Sequence, residues 1–173
     1  NLEYINYKEI FKTFTKKKKN NSLKFTKKKL LKRFNGHLSS DLVYVSKNAF
    51  GKINHRKVLK NSNKIKILIA PHSYCDSPHV HGNTFFSDNF EWLESLGKIS
   101  EETDYDWYIK CHPDYTTYFD NTIELIKDYT KRFPNINYLD NKISHNQLIK
   151  EGIDYVLTIY GTIAGEYPFF GIN

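Results

Sequence analysis

Apolar and polar positions follow two different rhythms along the chain. Over residues 1–35 apolar residues recur at helical spacing, with Ile5, Ile10, Phe11 and Phe14 on one stripe and Leu23, Leu30, Leu31 and Phe34 on another. Asn35-Gly36 then reads as a helix stop. Residues 37–63 hold no sustained period, and only a short helix from Asn54 to Lys60 is predicted there. From Lys64 the rhythm becomes regular. Ile65 to Ala70 predicts a short buried strand ended by Pro71. Trp107 to Cys111, Ile136 to Leu139 and Tyr155 to Ile159 predict three more. Between them lie helices opened by Asp88 with Glu91, Asn121 with Glu124 and Ser144 with Gln147, each in capping-box spacing. A last helix starts at Gly161-Thr162 and runs through Glu166. Strand and helix alternating in this way predict an α/β fold: a Rossmann-like parallel sheet with helices on both faces, preceded by Lys-rich helices.

Charge sharpens that division. The net charge of +7 hides 17 basic and 3 acidic side chains in residues 1–60, against 9 basic and 16 acidic in residues 61–173. The two parts are therefore expected to be different units: a basic helical segment over 1–60 and the sheet unit over 61–173. The lysines at Lys16 through Lys19 and Lys27 through Lys29 suit contact with an anionic membrane surface, or simply a solvated helix face. No recognised nucleic-acid motif accompanies them, so nucleic acid is not expected as a partner. No apolar run is long enough to span a bilayer. The two cysteines, Cys75 and Cys111, match no CxxC or disulfide framework, which points to a reducing, cytoplasmic setting. Methionine is absent and the chain opens at Asn1, so it is expected to be a piece of a longer protein.

Ligands of parallel sheets bind beyond the carboxyl ends of the strands. Here those ends carry Pro71-His72-Ser73, His112-Pro113-Asp114, Asp140-Asn141 and Tyr160-Gly161-Thr162. Gly161-Thr162, where a strand turns into a helix, suits a phosphate through backbone N–H groups and the Thr162 hydroxyl; the same pair equally makes a plain N-cap turn. Glu166, one helical turn on, has the reach to accept from two ribose hydroxyls, or to be a solvated helical carboxylate. His112 beside Lys110 suits a phosphate partner or an acid for a leaving oxygen, with an idle loop histidine as the alternative. The loop from Pro71 to His81 is dense in His72, Cys75, Asp76, His79 and His81, but no standard zinc spacing fits, and a polar active-site loop is the better reading.

Taken in order, several motifs resemble a known family. They are the loop bearing His72 and Asp76, then Phe85 to Leu93, then Trp107-Tyr108-Ile109-Lys110-Cys111-His112-Pro113, and finally Val156 to Tyr167 with Phe170-Gly171. The chain resembles the nucleotide-sugar half of bacterial capsular and surface polysaccharide biosynthesis proteins, a group of GT-B glycosyltransferases. The likeness spans roughly residues 64–173. It implies the GT-B C-terminal domain, truncated where the next strand should follow Asn173. It also implies a metal-independent transferase with no cofactor, its donor being a nucleotide sugar and its acceptor a glycan or lipid-linked glycan.

The resemblance assigns the Lys-x-His-Pro motif to Lys110 and His112, with His112 near the donor phosphate. It assigns Gly-Thr-x-x-x-Glu to Gly161, Thr162 and Glu166, at phosphate and ribose. His72 and Asp76 fall at polar positions near the sugar or acceptor, where either suits a base, and Ser73 joins the donor-binding set. One departure is Cys111, where proline is frequent. Two other readings stay open: a CDP-glycerol-type polyol-phosphate transferase with the same His-Pro and Gly-Thr logic, and a non-catalytic polyanion-binding module built on the Lys-rich helices.

Overall fold

The computed structural model describes residues 6–38, 47–54, 56–71, 85–117, 121–159 and 161–173. Two helices lead the chain, α1 (Tyr7–Thr13) and α2 (Lys16–Phe34). They separate at Phe14-Thr15, where the Thr15 hydroxyl accepts the Lys18 N–H and caps α2. The predicted stop at Asn35-Gly36 is a Schellman turn. Gly36, at φ +85°, donates to the Arg33 carbonyl, and His37 donates to that of Lys32. A side chain at Gly36 would be strained in this conformation and would bring its Cβ within 3.0 Å of the Phe50 carbonyl oxygen.

The sheet unit follows as β1 (Lys66–Ala70), α3 (Asn89–Glu102), β2 (Asp106–Lys110), α4 (Thr122–Arg132), β3 (Ile136–Leu139), α5 (His145–Glu151), β4 (Tyr155–Thr158) and α6 (Ile163–Glu166). The four strands are all parallel, in the order β3-β2-β1-β4. This is the predicted Rossmann-like α/β architecture. The chain first builds outward from β1 to β3, then crosses to the other side of β1 with β4. The strand order therefore reverses between β1 and β4, the place where open α/β sheets take ligands.

Alternating strand residues divide the core in two. Ile67, Ile69, Trp107, Ile109 and Ile136 face Trp92, Leu93 and Leu96 of α3 and Ile126 and Tyr129 of α4. Leu68, Tyr108 and Leu139 face the other way, onto Leu148 of α5, Ile163 of α6 and Tyr167. Phe34 at the end of α2, together with Phe50 and Leu59, completes this second cluster. The inner end of α2, with Phe50, Val58 and Leu59, is thus packed onto the acidic sheet unit.

The described residues 54 and 56–60 do not form the predicted helix. Their backbone donors are claimed by side chains of the sheet unit. The Asn54 N–H bonds Gln147, those of Val58 and Leu59 bond Glu151, and that of Lys60 bonds the Tyr108 hydroxyl. Gln147, almost fully buried, returns a bond to the Arg56 carbonyl. Four N–H groups paired across the fold leave no reason for an internal helical ladder. The predicted caps also differ in detail. Asp88 accepts from the Glu91 N–H, and Glu91 reaches back one residue further than a capping box requires, to the Ser87 N–H. Asn121 caps α4 by position without a side-chain bond. Among the described residues, no helix is long and apolar enough to cross a membrane.

Candidate functional site at the carboxyl ends of the strands

Lys110 ends β2 with its side chain on the Leu68–Tyr108 face, and is only 2% exposed. Its ammonium donates to the Cys111 carbonyl at 3.3 Å and lies 3.5 Å from His145 Nε2. His145, the first residue of α5, is buried against Phe50. Its Nδ1 sits 2.7 Å from the Tyr167 hydroxyl. With Lys110 charged, its N–H points at Nε2, so the neutral ring carries its proton on Nδ1 and donates to Tyr167. The trio is a buried chain linking the ends of β2, α5 and α6.

Burial sets the charge of these groups. It pulls Lys110 down to about 8, with Asp140 among the groups that pull it back up. Burial likewise pushes His145 well below the usual histidine range, and the positive charge of Lys110 and Arg33 pushes it further. His145 is therefore a neutral ring at physiological pH.

His112 lies two residues beyond Lys110, with its side chain 32% exposed. Nδ1 accepts the Asp114 N–H at 3.1 Å, which places the proton of the neutral ring on Nε2. Burial brings His112 down to about 4; Asp114 opposes this, while Lys110 and Arg33 add to it. In the free protein the ring is thus a neutral donor through Nε2. Pro113–Thr117 then forms a 3₁₀ turn, and the Tyr115 hydroxyl donates to the Pro71 carbonyl, tying the end of β2 to that of β1.

Gly161 and Thr162 follow β4. A Cβ at Gly161 would fall 2.5 Å from Thr158 Oγ1 and 3.2 Å from Ile163 Cγ2, so a larger residue there would force these side chains to shift. Thr162 is exposed and its side chain makes no cap bond. The helix it opens is shorter than expected: α6 is a single turn, and Tyr167–Phe170 continues as a 3₁₀ turn. Glu166 is 7% exposed and forms an ion pair with Arg33 through Oε1, which leaves acceptor capacity on Oε2. Burial raises its carboxyl above the usual range, and Arg33 pulls against that rise.

The structure therefore places Lys110 and His112 at the end of β2, with Glu166 held nearby through Arg33, while the Gly161-Thr162 turn follows β4 at the same carboxyl edge of the sheet. It adds three groups that the sequence did not reveal: His145, Tyr167 and Arg33. His145 belongs to no motif in the sequence, and Arg33 lies in the segment read as a separate basic unit. The candidates His72, Ser73 and Asp76 lie outside the described residues. A groove of about 560 Å³ lies between residues 52–58 and 140–147, lined by Lys52, Asn54, Asp140, Lys142, Ser144 and Gln147 among others and by none of Lys110, His112, His145, Glu166 and Tyr167. Among the described residues no three His, Cys, Asp or Glu side chains cluster as a metal set. No family model, curated protein or solved structure matches the chain.

Proposed function

We propose that the sheet unit is the donor-binding half of a glycosyltransferase that moves a sugar from a nucleotide sugar to a bacterial surface polysaccharide. One observation carries the reading. Lys110 and His112 stand at the carboxyl end of β2 in a parallel sheet, and the Arg33–Glu166 ion pair joins the end of α2 to α6 on the same side as Lys110. Burial holds His112 neutral, Lys110 and Arg33 add to that against Asp114, and the site therefore favours a second anion. A bound diphosphate would supply it and draw a proton onto His112.

In the reaction, the bond from the sugar anomeric carbon to the phosphate oxygen breaks and its electron pair leaves with the nucleotide. The acceptor hydroxyl oxygen forms the new bond and gives its proton to a base. His112 Nε2 and the Lys110 charge stabilise the leaving phosphate, where negative charge grows. Glu166 Oε2 receives ribose hydroxyls while Oε1 stays on Arg33. His72 or Asp76 serves as the base.

Titration calorimetry of this chain with a panel of nucleotide sugars and CDP-glycerol tests the proposal. A nucleotide sugar should bind, and His112→Ala should weaken it by about tenfold or more, the worth of a charge-assisted hydrogen bond. Glu166→Gln should weaken it less. Unchanged affinity in both variants overturns the assignment. Binding of CDP-glycerol in preference to every nucleotide sugar moves the site to polyol-phosphate transfer, the second reading that shares this geometry.

A further inference from the structure

Helix α2 holds nine lysines and Arg33 in 19 residues and no acidic side chain. At about 100° per residue the lysines are not evenly spread. Leu30 and Phe34 face the core cluster on the sheet unit. On the opposite side Phe25 is centred, with Lys18 and Lys29 to one flank and Lys17, Lys24, Lys28 and Lys32 to the other. Phe25 is 61% exposed, and the Lys29 ammonium lies 5.0 Å from its ring centroid. All six lysines are exposed. Lys24, Lys28 and Lys32 stack at i, i+4 spacing, a like-charge arrangement that disfavours a helix in isolation.

We propose that this face of α2 docks on an anionic phospholipid bilayer, with the lysines at the headgroups and Phe25 inserted at the acyl boundary. The chemistry favours a bilayer over another polyanion. Every cation on the face is lysine, so none offers the bidentate fork that reads a nucleic-acid phosphate. On this face of α2 Phe25 is a single exposed aromatic among the described residues, where base stacking would use several. Leu31, 44% exposed, borders the face next to Lys24, and the preceding α1 leaves Ile10 and Phe11 exposed. Such groups gain by entering lipid and gain nothing on a polar chain. The acidic sheet unit is repelled by the same surface, which orients the molecule with α2 toward the membrane. Lys16 and Lys27 lie on the sheet-facing side, and Lys19 is bonded to the Lys12 carbonyl, so these three are not the docking set.

The proposal is independent of the transferase reading. It is tested with the whole chain and vesicles of phosphatidylcholine, with and without about one-third phosphatidylglycerol. Co-sedimentation should show at least about tenfold tighter binding to the anionic vesicles, weakening further as salt rises from ~0.1 to ~0.5 M. Lys24→Gln/Lys28→Gln/Lys32→Gln should cost about tenfold to a hundredfold, and Lys27→Gln on the other side less than about threefold. Phe25→Trp should shift its emission to the blue on anionic vesicles, read against the buried Trp92 and Trp107. Three results overturn the proposal: equal affinity for neutral vesicles, tryptophan emission that stays that of a water-exposed ring, or tighter binding to a single-stranded oligonucleotide than to the vesicles.

Discussion

The two faces of the sheet are built from the same four strands and solve different problems. The face under α3 and α4 is filled by Ile67, Ile69, Trp107, Ile109, Ile126 and Phe133. The face under α5 and α6 buries Lys110, His145, Gln147 and Glu166 among its apolar side chains. An apolar face gains stability in proportion to the area it removes from water. A face with buried charge loses part of that gain to desolvation and recovers it only through partners. Each polar group named on the second face has a partner, and those nearest the strand ends are the ones the proposed chemistry uses. The difference makes the second face the one on which the proposed chemistry would sit.

Substitutions on the two faces should separate stability from binding. Ile109→Ala is expected to cost about 4 kcal/mol, since the residue is fully buried in a dense apolar cluster. Nucleotide affinity of the molecules that remain folded should not change. Urea melts paired with calorimetry check this; a parallel loss of affinity would mean the faces are not separable. On the second face, Arg33→Met is expected to cost about 3 kcal/mol, because it strands the Glu166 carboxylate. Adding Glu166→Gln should recover much of that, giving a clear coupling in a double-mutant cycle. Additive losses would show that the ion pair holds nothing.

The elements of the first face were legible in the sequence and those of the second only in part. Ile67, Ile69, Trp107 and Ile109 lie in short apolar runs, and α3 carries Trp92, Leu93 and Leu96 at helical spacing, so the strands and the helix were legible, while the face each side chain takes came from the structure. Lys110, His112 and the Gly161 turn were legible because strand ends can be placed once strands are found. His145 and Tyr167 were not, since their role arises from tertiary contact between α5 and the segment after β4. Arg33 was assigned by charge counting to a separate basic segment, and counting says nothing of which helix end packs where. Residues 54–60 misled for a related reason: local spacing suggested a helix, while Gln147, Glu151 and Tyr108 claimed the backbone donors from a distance in sequence.

Lys110→Met sharpens the comparison by making the second face resemble the first. Lys110 titrates near 8 in the fold against 10.5 as its ordinary value. The unfolded chain therefore binds more protons between these values, and stability rises with pH from 8 to 10.5. Methionine fills a similar volume without charge, so the variant should gain about 2 kcal/mol at pH 7 and lose that alkaline rise. It should also bind nucleotide more weakly, because a cation is gone from the phosphate side. A variant both more stable and no weaker in binding would remove Lys110 from the site. Chemical denaturation at several pH values provides the reading.

The smallest effect lies at His112 and in acid. Its titration falls from 6.5 to about 4 in the fold, so the folded state binds fewer protons than the unfolded one across that window. Stability is then full above 6.5 and declines as pH drops toward 4. The groups around it are Asp114, which favours protonation, and Lys110 and Arg33, which oppose it. His112→Gln should remove about 1 kcal/mol of that decline at pH 5.5, since the side chain is partly solvated. The remaining acid loss should persist, because His145 is fully enclosed and shifted the same way. A bound nucleotide reverses the sign at His112. The phosphate favours the charged ring, so affinity should strengthen as pH falls through the 6–5 range in the parent protein and stay flat in His112→Gln. Calorimetry in buffers of different ionisation heat would register the proton taken up on binding. No proton uptake in the parent would leave His112 a structural residue of the apolar-like kind, and the distinction between the two faces would then rest on Lys110, Arg33 and Glu166 alone.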